Sequence, residues 1–393
     1  MMYNFDEIVD RKNTSAVKWD KAKILYNRDD IIPMGIADMD FKIAPEIITA
    51  IKNRADHGVF GYSYLDEDYY NVLINWLDNI HNFQVEKDWI CTAPTIVAAI
   101  SWMIQSYTEK GDKIIIQPPV YHQFKRCIES NDRIVVNNPL KYENDKYFMD
   151  FEDLENKIDS KVKMMILCNP HNPGGRVWKA DELKKLGDIC LKHNILIISD
   201  EIHCDLVFKG HKHIPLINID EKLKDISLIC VSPTKTFNLA ALHVSNVIIP
   251  NKDLKDKYLN TAYKNAVEGI NVFGIEAMKA AYKYGEKWYR DMLQYVEDNY
   301  NFLCNYIEEN IPELKVAKSE GTYLAWIDFR ALSMDCEQLR DFMIKEARVL
   351  FDEGHVFGKE GHGFQRINLA CSKILLKEAL DRIYKAIENI NKL

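Results

Sequence analysis

The chain has 393 residues, of which 47% are hydrophobic and 28% charged, and it carries a formal net charge of −8 at pH 7. Its length exceeds the size at which one hydrophobic core keeps growing, so we expect two domains. The acidic balance, with no basic block, argues against nucleic acid as a partner, and no apolar stretch is long enough to predict a membrane span.

The first part of the chain opens without a clear periodic pattern. Residues 1–44 are expected to be irregular, and Pro45 then favours a helix over 46–55, because proline suits the first helical position. Further elements are predicted up to residue 137, with helices over 66–80, 95–107 and 121–129 and strands over 113–117 and 133–137.

The segment 163–249 shows the strongest alternation of strand and helix patterns. Its apolar runs predict strands over 163–168, 195–199, 226–231 and 244–249, with a helix over 180–193. Strands that alternate with helices indicate right-handed crossovers and a mostly parallel central sheet, which defines the α/β class.

The pattern changes after a long helix predicted over about 286–309. Strands are predicted over 322–329, 349–351 and 365–371, and helices over 336–347 and 373–391. This succession predicts a second, smaller domain of the α+β type.

The nine cysteines are odd in number and widely spaced, and no two form a Cys-x-x-Cys pair. Such usage is typical of reduced thiols rather than of a disulfide framework. The first residues show no charged-then-apolar signal pattern, so we expect a cytoplasmic protein. The pair His211 and His213 has no further ligands clustered nearby, and we expect no metal site.

Three of the predicted strands end in polar residues with chemical potential. Asn172, Asp200 and Lys235 follow the strands 163–168, 195–199 and 226–231. Ligands of open α/β sheets bind beyond the carboxyl ends of the strands, so these side chains are expected to meet there. An amine for a Schiff base, a carboxylate for a pyridine nitrogen and an amide for a ring oxygen meet the needs of pyridoxal phosphate. Taken singly, each could be a loop, cap or turn residue.

Eight segments carry a resemblance to a known family. Three of them are Asn169 to Trp178, Ser199-Asp-Glu-Ile-His203 and Ser232 to Leu242, and they resemble the aminotransferase superfamily of fold-type I pyridoxal-phosphate enzymes. Two others, Ala37-Asp-Met-Asp-Phe41 and Glu320 to Asp328, resemble the MalY/PatB type of cystathionine β-lyase, the bacterial C–S lyases.

The resemblance spans nearly the whole chain and has implications for its organisation. It implies a large cofactor-binding domain over 48–287 and a small domain formed by 1–47 and 288–393. It also implies pyridoxal 5'-phosphate as the cofactor, a small amino-acid substrate, and a homodimer with shared active sites.

The resemblance also implies roles for the matched residues. Lys235 would hold the cofactor and move the Cα proton of the substrate. Tyr121 would be the second catalytic residue, since it would stack on the cofactor ring and leave its phenol near the reacting carbon. Arg366 would bind the substrate α-carboxylate, the alternative being a structural salt bridge, and Ala37 and Asn172 would lie near the substrate. Further cofactor contacts are expected from Asp200, Asn172, His203, Ser232, Thr234, Thr95 and Ile96, and from Tyr62 across the subunit interface.

Some positions depart from the family pattern or permit a second interpretation. His243 stands eight residues after Lys235, where many aminotransferases have a phosphate-binding arginine. His203 could equally be a core histidine, and Tyr64 competes with Tyr62 for its role. Asp38 and Asp40 are expected to cap the first helix, although the family places this segment near the substrate carboxylate.

Three functions remain open from the sequence. The first is a C–S β-lyase that converts cysteine S-conjugates such as cystathionine into pyruvate, ammonia and a thiol. The second is an aminotransferase, for which the histidine in place of the usual arginine is unfavourable. The third is a regulatory protein that binds the cofactor, and no partner surface is visible in the sequence for it.

Overall fold

The computed structural model describes residues 3–267 and 269–391. The helices of this part of the chain are α1 Val17–Tyr26, α2 Pro45–Asp56, α3 Glu67–His81, α4 Ile96–Tyr107, α5 Gln123–Ser130, α6 Phe151–Asn156, α7 Ala180–His193, α8 Pro233–Thr236, α9 Lys252–Lys264, α10 Val272–Tyr284, α11 Glu286–Asn310, α12 Cys336–Asp341 (continued by a π-helical turn Phe342–Ala347) and α13 Lys373–Asn391. None of them is long and apolar enough to cross a membrane.

The strands belong to four sheets of very different size. They are β1 Ile32–Pro33, β2 Ile90–Ala93, β3 Lys113–Ile116, β4 Ile134–Asn137, β5 Lys141–Glu143, β6 Lys146–Phe148, β7 Val162–Cys168, β8 Leu196–Asp200, β9 Ser227–Val231, β10 Ser245–Ile248, β11 Lys315–Val316, β12 Leu324–Asp328, β13 Val349–Leu350, β14 Asp352–Glu353 and β15 Phe364–Asn368. Two pairs, β1 with β13 and β5 with β6, form small separate ladders.

The central sheet has seven strands in the order β2-β10-β9-β8-β7-β3-β4. The strands from β9 to β4 run parallel, and β10 is antiparallel to both of its neighbours, so the predicted mostly parallel sheet is confirmed. The strands β7, β8 and β9 are almost wholly buried, which explains their continuous apolar runs. The short strand β2 was not predicted, because its four residues acquire strand structure by pairing with β10.

A four-stranded antiparallel sheet in the order β11-β12-β15-β14 follows the long helix α11. Its two long strands lie in register, and Trp326 faces Arg366 across the ladder. The smaller α+β unit expected after α11 is therefore present, and the domain limits at 47/48 and 287/288 stay a prediction.

The expectation of an irregular N-terminal region was wrong, because α1 and β1 lie within residues 1–44. The sequence of α1 hides it, since its buried side chains are Lys18 and Ala22 while Ile24 and Leu25 are exposed. The expected capping role of Asp38 and Asp40 was also wrong. The residue that precedes α2 is Ala44, and the two carboxylates bind cations of the N-terminal segment instead.

Candidate active site

A cavity of about 1030 Å³ opens at the carboxyl edge of the central sheet. The strand register places Cys168, Asp200 and Cys230 side by side at that edge, so the loops that follow β7, β8 and β9 reach the cavity together. Ten of the residues predicted from the sequence line it: Lys235, Asp200, Asn172, Tyr121, Thr234, Thr95, Ile96, His203, Arg366 and Ala37. The prediction that these residues lie together therefore agrees with the geometry, while their roles remain to be tested.

Lys235 enters the cavity from α8, the short helix that follows β9. Ser232 caps this helix by accepting a hydrogen bond from the amide of Thr234. The Nζ of Lys235 donates to the carbonyl oxygen of Ala37 at 2.6 Å. Burial, with the nearby charge of Arg366, lowers the pKa of Lys235 to about 8. The amine can therefore lose its proton near neutral pH, as a nucleophile or a base must.

Asp200 is the last residue of β8 and is 4% exposed. One oxygen of its carboxylate accepts a hydrogen bond from the amide of Ile202 at 3.2 Å, and within the described residues no cation bonds to the carboxylate directly. Burial raises the pKa of Asp200 to about 7. A buried carboxylate with so little compensation strongly favours a cationic partner, and a protonated pyridine nitrogen is one.

Arg366 projects into the cavity from β15 and binds three groups of the protein. Its Nη1 donates to Oδ1 of Asn172 at 2.9 Å, and its Nη2 donates to the carbonyl oxygen of Gly35 at 3.2 Å. Nη2 also forms a salt bridge with Asp352. The Nε of Arg366 is buried and has no partner among the residues described. The structural salt bridge considered from the sequence is thus present, and the guanidinium still keeps a donor for another group.

The amino end of α4 faces the same cavity. Thr95 is the N-cap of this helix, and its hydroxyl accepts a hydrogen bond from the amide of Ala98 at 3.1 Å. Ile96 and Val97, which line the cavity, form the first positions of the helix, where amides lack intrahelical partners. Free amides and the helix dipole together favour binding of a phosphate group.

Ser232, in contrast to Thr234 and His243, does not line the cavity. Its hydroxyl donates to the carbonyl oxygen of Val244 at 2.7 Å and lies 2.7 Å from the hydroxyl of Thr234. The geometry therefore does not favour the direct cofactor contact expected of Ser232. Its hydroxyl holds the start of α8 against the segment before β10 and positions Thr234.

His203 and Tyr121 form aromatic parts of the cavity wall. His203 is 3% exposed, and its Nδ1 has no hydrogen-bond partner among the described residues. Burial, with the charges of Lys235 and Arg366, lowers the pKa of His203 to about 3, so the imidazole is neutral. Burial raises the pKa of Tyr121 to about 12, so its phenol keeps the proton. Both side chains can therefore take part in hydrogen bonds without carrying charge.

The sequence did not predict that an N-terminal segment forms part of the wall. Arg11 pairs with Asp38 at 2.7 Å and with Asp40 at 2.7 Å, and Asp40 also pairs with the buried Lys18 at 2.6 Å. The charged residues of these ion pairs were the one sequence signal for the position of this segment. The two partners of each pair lie more than twenty residues apart, so the sequence does not show that they pair. Through these bonds the segment lies against the cavity and contributes Arg11, Thr14, Ser15, Ala16 and Val17 to its lining.

Asp205 organises a second buried network behind the cavity. Its carboxylate accepts hydrogen bonds from the Thr236 hydroxyl at 2.6 Å and from the Trp76 indole at 3.1 Å, and it pairs with Nε2 of His81 at 2.7 Å. Thr236 directly follows Lys235, and Trp76 and His81 belong to α3. The network therefore attaches the segment that carries Lys235 to α3, a helix beside the central sheet.

Tyr62 does not reach the cavity of its own chain and is fully exposed. Val59, Phe60 and Tyr64 in the same segment are exposed as well. The expectation that Tyr62 contacts the phosphate of a neighbouring subunit stays a prediction.

Comparison with known proteins agrees with this geometry. A family model described as aminotransferase class I and II matches residues 29–383. Cystathionine beta-lyase PatB of Bacillus subtilis (strain 168) is 41% identical over 386 residues, covering 98% of this chain and 100% of that protein. Cystalysin of Treponema denticola, whose structure contains pyridoxal 5'-phosphate, has a TM-score of 0.97 at 37% identity, covering 99% of this chain and 100% of that one.

A third relative is the pyridoxal-phosphate-bound C–S lyase of Staphylococcus hominis, with a TM-score of 0.92 at 33% identity over 98% of both chains. The architecture is that of the fold-type I pyridoxal-phosphate enzymes, as the sequence predicted. The chain belongs to the aminotransferase class I and II family.

Proposed function

We propose that this chain is a pyridoxal-phosphate-dependent C–S β-lyase acting on cystathionine, cysteine or related cysteine S-conjugates. The supporting observation is the presence of the half-buried Lys235 and the buried Asp200 and Arg366 in one cavity, each with capacity for a further partner. The relatives support the same activity, since the Bacillus subtilis protein is a cystathionine beta-lyase and the Staphylococcus hominis protein a C–S lyase.

The donors of the cavity fit pyridoxal phosphate at each of its functional groups. Lys235 would hold its aldehyde carbon, and the poorly compensated Asp200 would pair with its pyridine nitrogen. Asn172 and His203, whose Nδ1 has no partner among the residues described, would serve the ring oxygen, and the first amides of α4 with Thr234 would bind the phosphate. When bound, the cofactor draws electrons from the Cα of an attached amino acid.

The residues of the chain supply binding and proton transfer. Arg366, held by Asp352 and Asn172, offers its remaining donor to the α-carboxylate of the substrate. Asp200 keeps the proton on the pyridine nitrogen, and Tyr121 covers the ring and excludes water from it. The Lys235 amine, with its pKa of about 8, accepts the proton from Cα.

Loss of the Cα proton and departure of the thiolate from Cβ break the carbon–sulfur bond. The thiolate takes up a proton, and the released enamine is hydrolysed. The balance is one cysteine S-conjugate and one water giving one thiol, one pyruvate and one ammonium ion. No keto acid is required to accept the amino group, which separates this reaction from transamination.

A product assay tests the proposal. Protein loaded with pyridoxal phosphate is incubated with S-methyl-L-cysteine, and pyruvate and methanethiol are measured with and without 2-oxoglutarate. We expect equal amounts of the two products without the keto acid, and none with a Lys235→Ala control. Formation of glutamate from 2-oxoglutarate, without pyruvate and methanethiol, would identify an aminotransferase, and the absence of both reactions would overturn the proposal of an enzyme.

We further propose a cytoplasmic homodimer whose two active sites are shared. The exposed segment with Val59, Phe60, Tyr62 and Tyr64 supports association, because so many aromatic and aliphatic side chains in one stretch favour a protein partner. The nine cysteines, all free thiols, support a reducing compartment.

A further inference from the structure

The carbonyl oxygen of Ala37 accepts hydrogen bonds from two side chains. Lys235 Nζ donates to it at 2.6 Å, and the phenol of Tyr323 donates to it at 3.0 Å. A carbonyl oxygen has two lone pairs, so both donors can be bound at the same time. Burial raises the pKa of Tyr323, so its phenol keeps the proton that it donates. Tyr323 is 1% exposed and does not line the active-site cavity, so it acts on the lysine through Ala37.

The peptide groups on both sides of this carbonyl are held as well. Nδ2 of Asn368 donates to the carbonyl oxygens of Ile36 at 2.7 Å and of Asp38 at 2.6 Å. Asn368 is fully buried at the end of β15, where it pairs with Leu324, the residue after Tyr323. Rotation of the Ala37 peptide would therefore break buried hydrogen bonds, each of which is costly to leave unmade.

The backbone directly before Tyr323 has an unfavourable conformation. Thr322 has a φ of +67°, which β-branched residues rarely adopt. Its amide donates to the carbonyl oxygen of Leu206 at 2.5 Å, and its hydroxyl donates to the carbonyl oxygen of Leu324 at 3.1 Å. Conformations of this kind persist where the surrounding structure enforces them, and they are concentrated at functional sites. This turn sets the direction in which the Tyr323 side chain leaves the backbone.

The hydrogen bond to Ala37 orients the lysine amine for proton transfer. A neutral amine has two N–H groups and one lone pair, so donation to a fixed carbonyl leaves the lone pair directed away from Ala37. When the Cα–H bond breaks, the proton moves to Nζ of Lys235 and the electron pair stays with the substrate, from which the bound cofactor draws it. The ammonium that forms keeps its bond to Ala37, and this bond becomes stronger because the donor is now charged.

We infer that Tyr323 is a positioning residue, which holds the Ala37 carbonyl as the acceptor for the Lys235 amine while that amine takes the Cα proton. Asn368 assists by fixing the two flanking carbonyls. The inference rests on the proposed lyase function and adds to it a residue that touches neither substrate nor cofactor.

Tyr323→Phe removes a single oxygen atom and is the direct test. Its matched control is Tyr107→Phe, because the phenol of Tyr107 also donates to a backbone carbonyl, that of Leu254 at 2.7 Å, and Tyr107 does not line the active-site cavity. Thermal unfolding of both variants reports the general cost of losing such a bond.

The first measurement uses the cofactor-free protein. Acetylation of Lys235 by acetic anhydride is followed by peptide mass spectrometry between about pH 6 and about pH 10, which gives the pKa of its amine. Since the bond to Ala37 stabilises the ammonium form, Tyr323→Phe should lower this pKa by about one unit, and Tyr107→Phe should not change it. The charged residues that act on the amine remain in both variants: Arg366, Asp38 and Asp200.

The second measurement uses the cofactor-loaded protein with S-methyl-L-cysteine at the pH optimum of each variant. Tyr323→Phe should lower kcat about tenfold, because the base is less well oriented, and should leave KM within twofold, because Tyr323 does not line the cavity. Deuterium at Cα of the substrate should slow the variant more than the wild-type protein, because proton transfer then limits turnover to a greater extent.

These measurements also separate positioning from a purely structural role. An unchanged or raised pKa of Lys235 in Tyr323→Phe would overturn the inference, and so would a lowered pKa without any fall in kcat. A higher KM at unchanged kcat would assign Tyr323 to substrate binding and would equally overturn it. If Tyr323→Phe does not fold, Asn368→Ser replaces it, since loss of the flanking donors should lower the pKa of Lys235 in the same way.

The cofactor-free measurement distinguishes failure of this inference from failure of the proposed function. If the wild-type protein forms no pyruvate, the lyase proposal fails, and the pKa of Lys235 in the two tyrosine variants still decides whether Tyr323 positions the amine. A lowered pKa in Tyr323→Phe alone supports positioning, and equal pKa values in all three proteins refute it.

Discussion

The Asp200 carboxylate should make the cofactor-free protein less stable as the pH rises. Burial raises its pKa from an ordinary 3.8 to about 7. Between these values the unfolded chain releases the proton while the folded chain keeps it, so folding stability falls with increasing pH. A difference of about three pKa units lowers the free energy of unfolding by about 4 kcal/mol. This destabilisation is fully present above pH 7 and absent below pH 4.

Asp200→Asn removes the titration and nearly preserves the shape of the side chain. Urea unfolding of the cofactor-free variant and the wild-type protein should therefore give similar free energies at pH 4 and a more stable variant at pH 8, by up to about 4 kcal/mol. Loading pyridoxal phosphate should reverse the order at pH 8, because the ionised carboxylate then has a cationic partner. Lys235 also titrates near this range, and comparison of the two proteins at each pH removes most of its contribution.

Asp205→Asn is the matched control, because this second buried carboxylate has the opposite environment. Although burial opposes ionisation, the contacts with His81, Thr236 and Trp76 lower the pKa of Asp205. Its ionised form therefore stabilises the folded protein above the ordinary pKa, and this contribution is lost as the pH falls. Asp205→Asn should thus destabilise at pH 8. If Asp200→Asn also destabilised the cofactor-free protein at pH 8, the reasoning about Asp200 would be refuted.

Three further outcomes are expected of the proposed site. Lys235→Ala should bind pyridoxal phosphate without turnover, and borohydride reduction of the wild-type protein should attach the cofactor to Lys235, which peptide mass spectrometry checks. Arg366→Leu should keep the wild-type absorption spectrum and lower kcat/KM for cysteine conjugates by at least about a hundredfold, as for other broken buried charge pairs. Mixing inactive Tyr62→Ala and inactive Lys235→Ala subunits should restore part of the activity, and no recovery despite subunit exchange would remove Tyr62 from the neighbouring site.

The motif residues could be predicted from the sequence because parallel strands end at a common edge. Asn172, Asp200 and Lys235 each follow an apolar run, and the in-register pairing of β7, β8 and β9 brings the three run ends to one level. The alternation of apolar runs and helices is a local pattern in the sequence. Because the resulting strands are parallel neighbours, the residues that follow them lie close together at one edge of the sheet. Residues far apart along the chain thus become neighbours without any special contact.

The N-terminal wall could not be predicted, because long-range ion pairs and not an apolar face hold it in place. Lys18 is buried against Asp40, and α1 leaves Ile24 and Leu25 exposed, so hydrophobic periodicity gives no signal. The direction of the Ser232 hydroxyl could not be predicted from the sequence either. Its residue type suits a phosphate, but its direction is decided by the carbonyl of Val244, which comes twelve residues later.

The two interpretations of Arg366, a structural salt bridge and a substrate receptor, are compatible in this geometry. Asp352 lies opposite Arg366 in the β14–β15 ladder, so a two-residue strand supplies a carboxylate that the sequence pattern could not assign. Asp352 and Asn172 bind the two terminal nitrogens and fix the plane of the guanidinium, while Nε stays unpartnered within the described residues. A cation held in this way loses little entropy when a carboxylate arrives. The charges of Asp38 and Asp200 offset part of the effect by which burial and Arg366 lower the pKa of Lys235. The salt bridge therefore positions the arginine for a substrate anion while the lysine amine remains basic enough to accept a proton.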